Sequence, residues 1–475
     1  MSSGTWSRWR LLRRAVQGFF LALFLILTVL SVLGVGSATL GSFFLWLDPL
    51  AGLTAMLSAR RFLPRFLPAV GLVLFTLALG RAWCGWFCPL GTLLEWAAPR
   101  RTRRPLATAW RWVKYGLLLT LVAGALWSSQ GLLLLDPLPL LQRGVVALLR
   151  PALDPLRHLA GPASGHFRAA DLWPALLLAA VVALNAVAPR FWCRALCPLG
   201  ALLGFFARLA ALRRRVDGAC DGCGACARRC PQGAIEQHTW ESDPGECVTC
   251  LACAELCPQD ALRWRFGPRG GAAFMPSRRA LLASMGAGLL AGGLLRLERL
   301  LRQKPARLLR PPGAREEALL AQCVRCGACV AACPTGVLRP ALFEAGVEGL
   351  GTPLFLPRQG YCRYTCHACG QACPSGAVPA LSLEEKQVQV IGIARVDPAR
   401  CLVWKENRRC TVCRDTCPLP GPAVELRPEQ ALSPLGEPIR VERPRVIEHL
   451  CTGCGICEYN CPVEGEAAIR VYNRC

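Results

Sequence analysis

Six times the chain sets four cysteines in a short run closed by Cys-Pro, and no other feature restricts its fold as tightly. The first two runs are Cys220, Cys223, Cys226, Cys230-Pro231 and Cys247, Cys250, Cys253, Cys257-Pro258. In a C-x2-C-x2-C-x3-C-P run, three close thiolates wrap one corner of a [4Fe–4S] cube and the fourth reaches the partner cube. The spacing therefore assigns Cys220, Cys223, Cys226 and Cys257 to one cluster, and Cys247, Cys250, Cys253 and Cys230 to the other. Zinc sites rarely use three cysteines this close plus a fourth before Pro, and disulfides do not explain the repetition.

Four more runs follow. They are Cys323, Cys326, Cys329, Cys333; Cys362, Cys366, Cys369, Cys373; Cys401, Cys410, Cys413, Cys417; and Cys451, Cys454, Cys457, Cys461. Each carries the four thiols of one cubane, although the two inner runs are stretched. Cys475 is left over and is most simply a spare thiol. Between the runs lie short β-prone pieces such as Gln387–Ile393 and Ala468–Val471, which suit compact βαβ units cored by the clusters themselves.

The rest of the composition points to a bilayer. The chain is 53% hydrophobic with mean hydropathy +0.34, and its net charge of +24 comes with no nucleic-acid motif. The arginines crowd beside apolar runs, as cytoplasmic anchors do, so no nucleic-acid partner is expected. Arg8, Arg10, Arg13 and Arg14 precede an apolar run over Ala15–Val35, longer than the core of a cleaved signal peptide and read as a retained span with its N-terminus inside. Further spans are expected at Phe66–Trp83, Tyr115–Leu135 and Leu172–Pro189. The basic segments Arg100–Lys114 and Arg208–Arg215 then fall on the inner side, and the sparsely basic Asp136–Asp171 loop outside. None of the five histidines (158, 166, 238, 367, 449) lies in these runs, which disfavours a bis-histidine b haem.

A weak duplication runs through this membrane half. Leu-Asp48-Pro49-Leu precedes Gly80-Arg-Ala-Trp83-Cys84-Gly-Trp86-Phe-Cys88-Pro89-Leu-Gly91. Leu-Asp136-Pro137-Leu precedes Phe191-Trp192-Cys193-Arg-Ala-Leu-Cys197-Pro198-Leu-Gly200. A third Leu-Asp154-Pro155-Leu obscures which acidic dipeptide belongs to the repeat. Four-residue spacing puts Cys84 with Cys88, and Cys193 with Cys197, on single helix faces at the inner ends of their spans. Repeated membrane halves commonly hold their functional site between them. A four-thiolate metal site holding further iron, or a redox dithiol near quinol, competes with packed thiols behind a proline. A disulfide is discouraged on the reducing side. Trp83, Trp86 and Trp192 read as interfacial anchors.

Downstream, Pro276-Ser277-Arg278-Arg279 opens an apolar stretch to Leu295 that resembles a twin-arginine export signal. Such a signal suits a domain that must cross already folded around its clusters. It is read as retained, forming a fifth span, against a surface-lying helix favoured by the basic residues after it.

Residues 1 to about 265 resemble the NapH-type membrane ferredoxins, which combine four spans, two C-x3-C-P elements and a two-cluster ferredoxin. Residues from about 277 onward, with Arg310-Pro-Pro-Gly-Ala and Cys451-Thr-Gly-Cys-Gly-Ile-Cys-Glu, resemble the NapG/MauM-type four-cluster ferredoxins. The resemblance implies both partners fused in one polypeptide, and pairing of the first of the last four runs with the fourth and the second with the third. Proximity in sequence would pair neighbours instead.

The expected fold is therefore membrane all-α, with four helices and a fifth, plus α+β bacterial-ferredoxin-like modules. The expected domains are 1–212 (membrane helices), 213–268 (two clusters), 276–296 (fifth span) and 310–475 (four clusters). The expected function is oxidation of quinol from the membrane's quinone pool and passage of electrons along six [4Fe–4S] clusters to a periplasmic reductase or cytochrome. The expected setting is the bacterial inner membrane, with the two-cluster domain cytoplasmic and the four-cluster domain periplasmic. Reverse flow from a low-potential donor, or electron supply for metal-centre assembly in an oxidase or nitrous oxide reductase, are the alternatives.

Overall fold

The computed structural model describes residues 3–99, 106, 108–159, 168–236, 239–267, 278–301, 305–432 and 438–474. The expectations for Arg100–Arg104, Pro276-Ser277 and Cys475 lie outside these residues.

Three helices begin where a side-chain acceptor precedes Pro. Helix α1 spans Ser3–Leu33. Asp48 caps α2 (Pro49–Ala59), its Oδ1 accepting from the amides of Leu50 at 3.0 Å and Ala51 at 3.2 Å. Pro is pre-set for the first helical position and has no amide to lose there. Helix α3 covers Leu67–Leu79 and stops at Gly80, at φ +69°. The thiols of Cys88 and Cys197 cap α4 (Pro89–Trp96) and α8 (Pro198–Ala207) in the same manner. Between them run α5 (Thr108–Leu126), α6 (Pro137–Leu159) and α7 (Trp173–Ala183). Pro155 falls inside α6, so Asp154 is a mid-helix residue. The structure instead places Asp48 against Asp136, both fully buried.

Fewer helices qualify as spans than the sequence suggested. Among the described residues, Arg8–Leu33 and Ala169–Ala186 are long and apolar enough to cross a membrane. The pair Leu40–Trp46 and Pro49–Ala59, bent by 85°, would make a third. Breaks account for two of the missing spans, and the helix Arg278–Leu301, expected as a fifth span, does not qualify either. A 3-10 turn at Pro64–Phe66 leads into only 13 residues of α3. The run Tyr115–Leu135 is no single helix, because α5 ends at Leu126 and a separate 3-10 turn occupies Gly131–Leu135.

Two cysteine-rich modules hold opposite ends of the helices. In the first, β1 (Leu212–Val216) pairs antiparallel with β2 (Leu262–Phe266), enclosing the first two runs. The second contains β3 (Leu338–Pro340) with β4 (Pro353–Phe355), and β5 (Ile393–Val396) with β8 (Ile469–Tyr472). It also carries the hairpin of β6 (Val424–Leu432) and β7 (Pro438–Val446). The β-prone piece Gln387–Ile393 is strand only from Ile393: Gln387 ends the helix Leu383–Gln387, which a Ser382–Glu385 capping box starts, and the residues between are turn and loop.

Helix α1 measures the separation. Arg10 pairs with Glu255 of the first module at 2.7 Å, while Val32 packs in a core with Cys329 and Cys333 of the second. Twenty-two residues at 1.5 Å each make that roughly 33 Å. Helix α9 (Arg278–Leu301) joins the modules and runs beside α5 in the same direction. A Cβ on Gly116 would lie 3.1 Å from Ser284 Oγ, one on Gly288 2.6 Å from Thr120 Cα, and one on Gly292 3.2 Å from Gly124 Cα. Small residues every fourth position let the two backbones touch, the packing used between helices in lipid.

Candidate iron–sulfur sites and the C-x3-C-P thiols

The cysteine runs share one local design. After the second cysteine the chain turns left-handed, at Gly224 (φ +67°), Gly327 (φ +74°) and Gly455 (φ +81°), and a short helix carries the third cysteine inward. Leu251 takes the same conformation at φ +63°. In the stretched runs this position is His367 or Thr411, at negative φ. Amides also point at the sulfurs: Ala234 to Cys230 at 3.3 Å, Ala261 to Cys257 at 3.4 Å, Val378 to Cys373 at 3.4 Å, Ala394 to Cys451 at 3.5 Å and Ala468 to Cys461 at 3.4 Å. Such N–H···S bonds are among the factors that set a cluster's potential.

Four cavities of similar size, about 350–400 Å³, are each lined by three cysteines of one run and the last cysteine of another. Cys247, Cys250 and Cys253 share one with Cys230. Cys323, Cys326 and Cys329 share one with Cys373. Cys401, Cys410 and Cys413 meet Cys461, and Cys451, Cys454 and Cys457 meet Cys417. Cys333 lies beside Cys362, Cys366 and Cys369. In the second module, then, neighbouring runs exchange their last cysteine, not the first with the fourth as the resemblance implied. Cys226 has Cys220 as a neighbour, with Cys223 exposed on the same loop. No disulfide joins any described cysteine. The donor sets, all thiol with N–H donors around them, fit iron–sulfur cubes.

Arginines hold the second module on the helices. Arg150 of α6 donates to the carbonyls of Val330 (2.9 Å) and Cys333 (2.9 Å). Burial pushes the Cys333 thiol up, but the Arg150 guanidinium outweighs it and holds the thiol below its usual range. Arg325, fully buried, donates to Leu350 and Glu348 of its own module and to Gln130 at the helix end. Ser42, Arg61, Arg65 and Arg143 add bonds to Ala372, Gln322, Cys373 and Arg325. Charge-type anchoring at the bilayer surface would not have revealed these contacts.

At the other end, the two C-x3-C-P elements come together. Cys84, Cys88, Cys193 and Cys197 are electrostatic neighbours of one another, with Cys88 and Cys197 buried. Both elements carry a feature the sequence did not announce. Cys88 N bonds Trp83 O and Cys197 N bonds Trp192 O, both at 2.9 Å, so each pair sits on a π-type turn. The first module covers this end. Arg81 donates to Gly245 O at 2.8 Å, Trp86 to Thr249 O at 2.9 Å, and Lys114 pairs with Glu246 at 2.5 Å. Burial works to raise the Glu246 carboxyl, but Lys114 and Arg81 together hold it below the usual carboxylate range.

These features define an iron–sulfur electron carrier of the ferredoxin type. A 4Fe-4S binding domain model matches residues 62–106 and 171–217, and a 4Fe-4S dicluster domain model matches residues 219–261 and 322–377. The chain belongs to the MauM/NapG family of ferredoxin-type proteins. It is 42% identical over 176 residues to the methylamine utilization ferredoxin-type protein MauM of Paracoccus denitrificans, covering 36% of this chain and 73% of that protein. It is 39% identical over 215 residues to MauM of Methylorubrum extorquens, covering 42% and 90%. With the ferredoxin-type protein NapG of Escherichia coli it shares 38% identity over 172 residues, covering 34% and 69%. No solved structure matches.

Proposed function

We propose that the chain is a membrane-embedded quinol dehydrogenase component in which a NapH-type membrane half is fused to a NapG/MauM-type half. It takes electrons from quinol and passes them through its [4Fe–4S] clusters to a reductase or cytochrome. The observation that carries this reading is the placement of two cysteine-lined modules at opposite ends of one helical body, about 33 Å apart along α1. That distance matches the hydrocarbon core of a bilayer. The first module sits at the end of α5 that carries Arg111 and Lys114, which the positive-inside rule places in the cytoplasm. Helix α9 leaves that end, follows α5 through its small-residue seam and delivers the second module to the periplasm.

A crevice of about 420 Å³ supports a quinol site at the outer end. Val146, Ala147 and Pro174 give it apolar walls, and Asp171, ion-paired with Arg339 at 3.1 Å, gives it a carboxylate. Gly327 and Val330 of the first run of the second module form its floor. Arg143, Arg150 and Arg339 line it as well, so fixed charged groups face its apolar walls, a make-up suited to orienting a ligand. The test is anaerobic oxidation of a quinol by the purified, iron-replete chain with a one-electron artificial acceptor. Failure to consume quinol refutes the dehydrogenase reading. Reporter fusions after Phe266 and at the C-terminus test the topology, and two fusions active on the same side of the membrane refute it.

A further inference from the structure

The four thiols of the membrane half stand among buried positive charge that the side chains around them do not balance. Arg81 and Arg190 occupy equivalent places, three residues before Cys84 and Cys193. Both are fully buried, and they cross between the repeats. Arg190 donates to Gly91 O at 3.2 Å, and a Cβ on Gly200 would lie 2.8 Å from Arg81 Nη2. Each half has one carboxylate facing two cations. Glu95 pairs with Arg13 and with Arg190 (2.6 Å). Glu246 pairs with Lys114 (2.5 Å) and Arg81 (3.5 Å). One positive charge is left over in each half, two in all, and isolated buried charge is costly.

Orphan donors repeat with the same symmetry. Trp83 and Trp192 are both over nine-tenths buried, and the indole N–H of each finds no acceptor. Nε of Arg81, and Nε and Nη1 of Arg190, are in the same position. Native interiors rarely leave such donors unpaired. On the opposite side of the balance, Cys88 Sγ accepts from Gly91 N at 3.4 Å and Cys197 Sγ from Gly200 N at 3.2 Å. Those are contacts suited to thiolate.

We infer that Cys84, Cys88, Cys193 and Cys197 together hold a seventh iron–sulfur centre, on the pseudo-two-fold axis between the repeats. Four thiolates around the doubly positive core of an oxidised [2Fe–2S] or [4Fe–4S] cluster leave a dianion, which matches the two uncompensated cations. Its inorganic sulfides supply the acceptors that the tryptophan and arginine donors lack. A mononuclear zinc site would carry the same charge, but it requires thiols close around one ion, with Zn–S near 2.3 Å. Among the described residues no group of three or more Cys, His, Asp or Glu is gathered that closely. That spacing class is also shared by the runs assigned to cubanes. The centre lies against the first module, through Gly85, where a Cβ would lie 2.2 Å from Val248 O, and through Arg190, an electrostatic neighbour of both Cys193 and Cys250. It thus extends the electron path from that module into the helical body.

The inference rests on the cubane reading of the six runs, and iron counting keeps the two separable. The full-length chain, purified anaerobically in detergent, should contain two or four iron atoms beyond the roughly 24 of six cubanes, with matching acid-labile sulfide. Cys84→Ser or Cys193→Ser should remove that excess and one electron paramagnetic resonance signal, leaving the others; Cys475→Ser should remove nothing. Wild-type iron stopping at 24, or one equivalent of zinc lost with Cys84→Ser, overturns the inference while leaving the six cubanes standing. A total far below 24 that is unchanged by Cys84→Ser overturns both. Should the serine variants fail to assemble, Trp192→Phe keeps the iron count and, by deleting an N–H donor, shifts the midpoint potential of the extra signal alone. An unshifted potential overturns the inference.

Discussion

Replacing Glu246 by Ala tests how the first module is seated. Its carboxylate meets Lys114 at 2.5 Å, Arg81 at 3.5 Å and the Tyr115 hydroxyl at 3.3 Å, and Arg81 and Lys114 are completely buried. The substitution strands two cations inside the protein. Breaking a buried pair in this way costs about 3–5 kcal/mol, which converts at roughly tenfold per 1.4 kcal/mol to between a hundred- and a few-thousand-fold more of the undocked state. Hydrogen exchange read at the β1–β2 amides of detergent-solubilised protein should accelerate by that factor, with the β5–β8 amides unaffected. Glu246→Gln keeps the shape and one acceptor, and should fall between the two. Exchange at β1–β2 within threefold of wild type in Glu246→Ala would refute the claim that this carboxylate holds the module down.

The same residue sets an acid limit. Its folded-state value lies below the ordinary carboxylate value of about 4.3, so the stabilisation is complete above that pH and disappears as pH falls through the lowered value. β1–β2 exchange should show this loss in wild type, and Glu246→Gln should flatten it. Cys373→Ser should damage the cluster of Cys323, Cys326 and Cys329, not that of its own run, which pulsed magnetic resonance with labelled cysteine can distinguish. Gly288→Leu should separate α9 from α5, because its Cβ would already be 2.6 Å from Thr120 Cα. A loss of about 1–3 kcal/mol, as for other overpacked contacts, should appear as a lower thermal midpoint in detergent; an unchanged midpoint would count against the seam.

The cysteine spacing made the iron–sulfur chemistry legible because that signal is local, whereas the prolines of the C-x3-C-P elements, which read as helix stops, in fact open the next helices. What depends on three-dimensional neighbours was not legible. Run spacing alone could not tell which run lends Cys373 or Cys417 to which cavity. Arg81, Arg190 and Arg325 look like anchors in a basic chain but are among its most buried side chains. Trp83 and Trp192 read as interfacial residues, yet both are interior. Hydropathy overcounted the spans because it does not register the 3-10 turns at Pro64–Phe66 and Gly131–Leu135.

The bonds that fasten the second module to the helices come from residues 322–373, the half containing its first two runs. The other half, with Trp404 stacked under Arg443 at 4.5 Å, makes none of these bonds. Its attachment thus leaves one half of the module bonded to the helices and the other clear of those bonds. Sequence can therefore change around that tryptophan without touching the bonds that join the module to the helices.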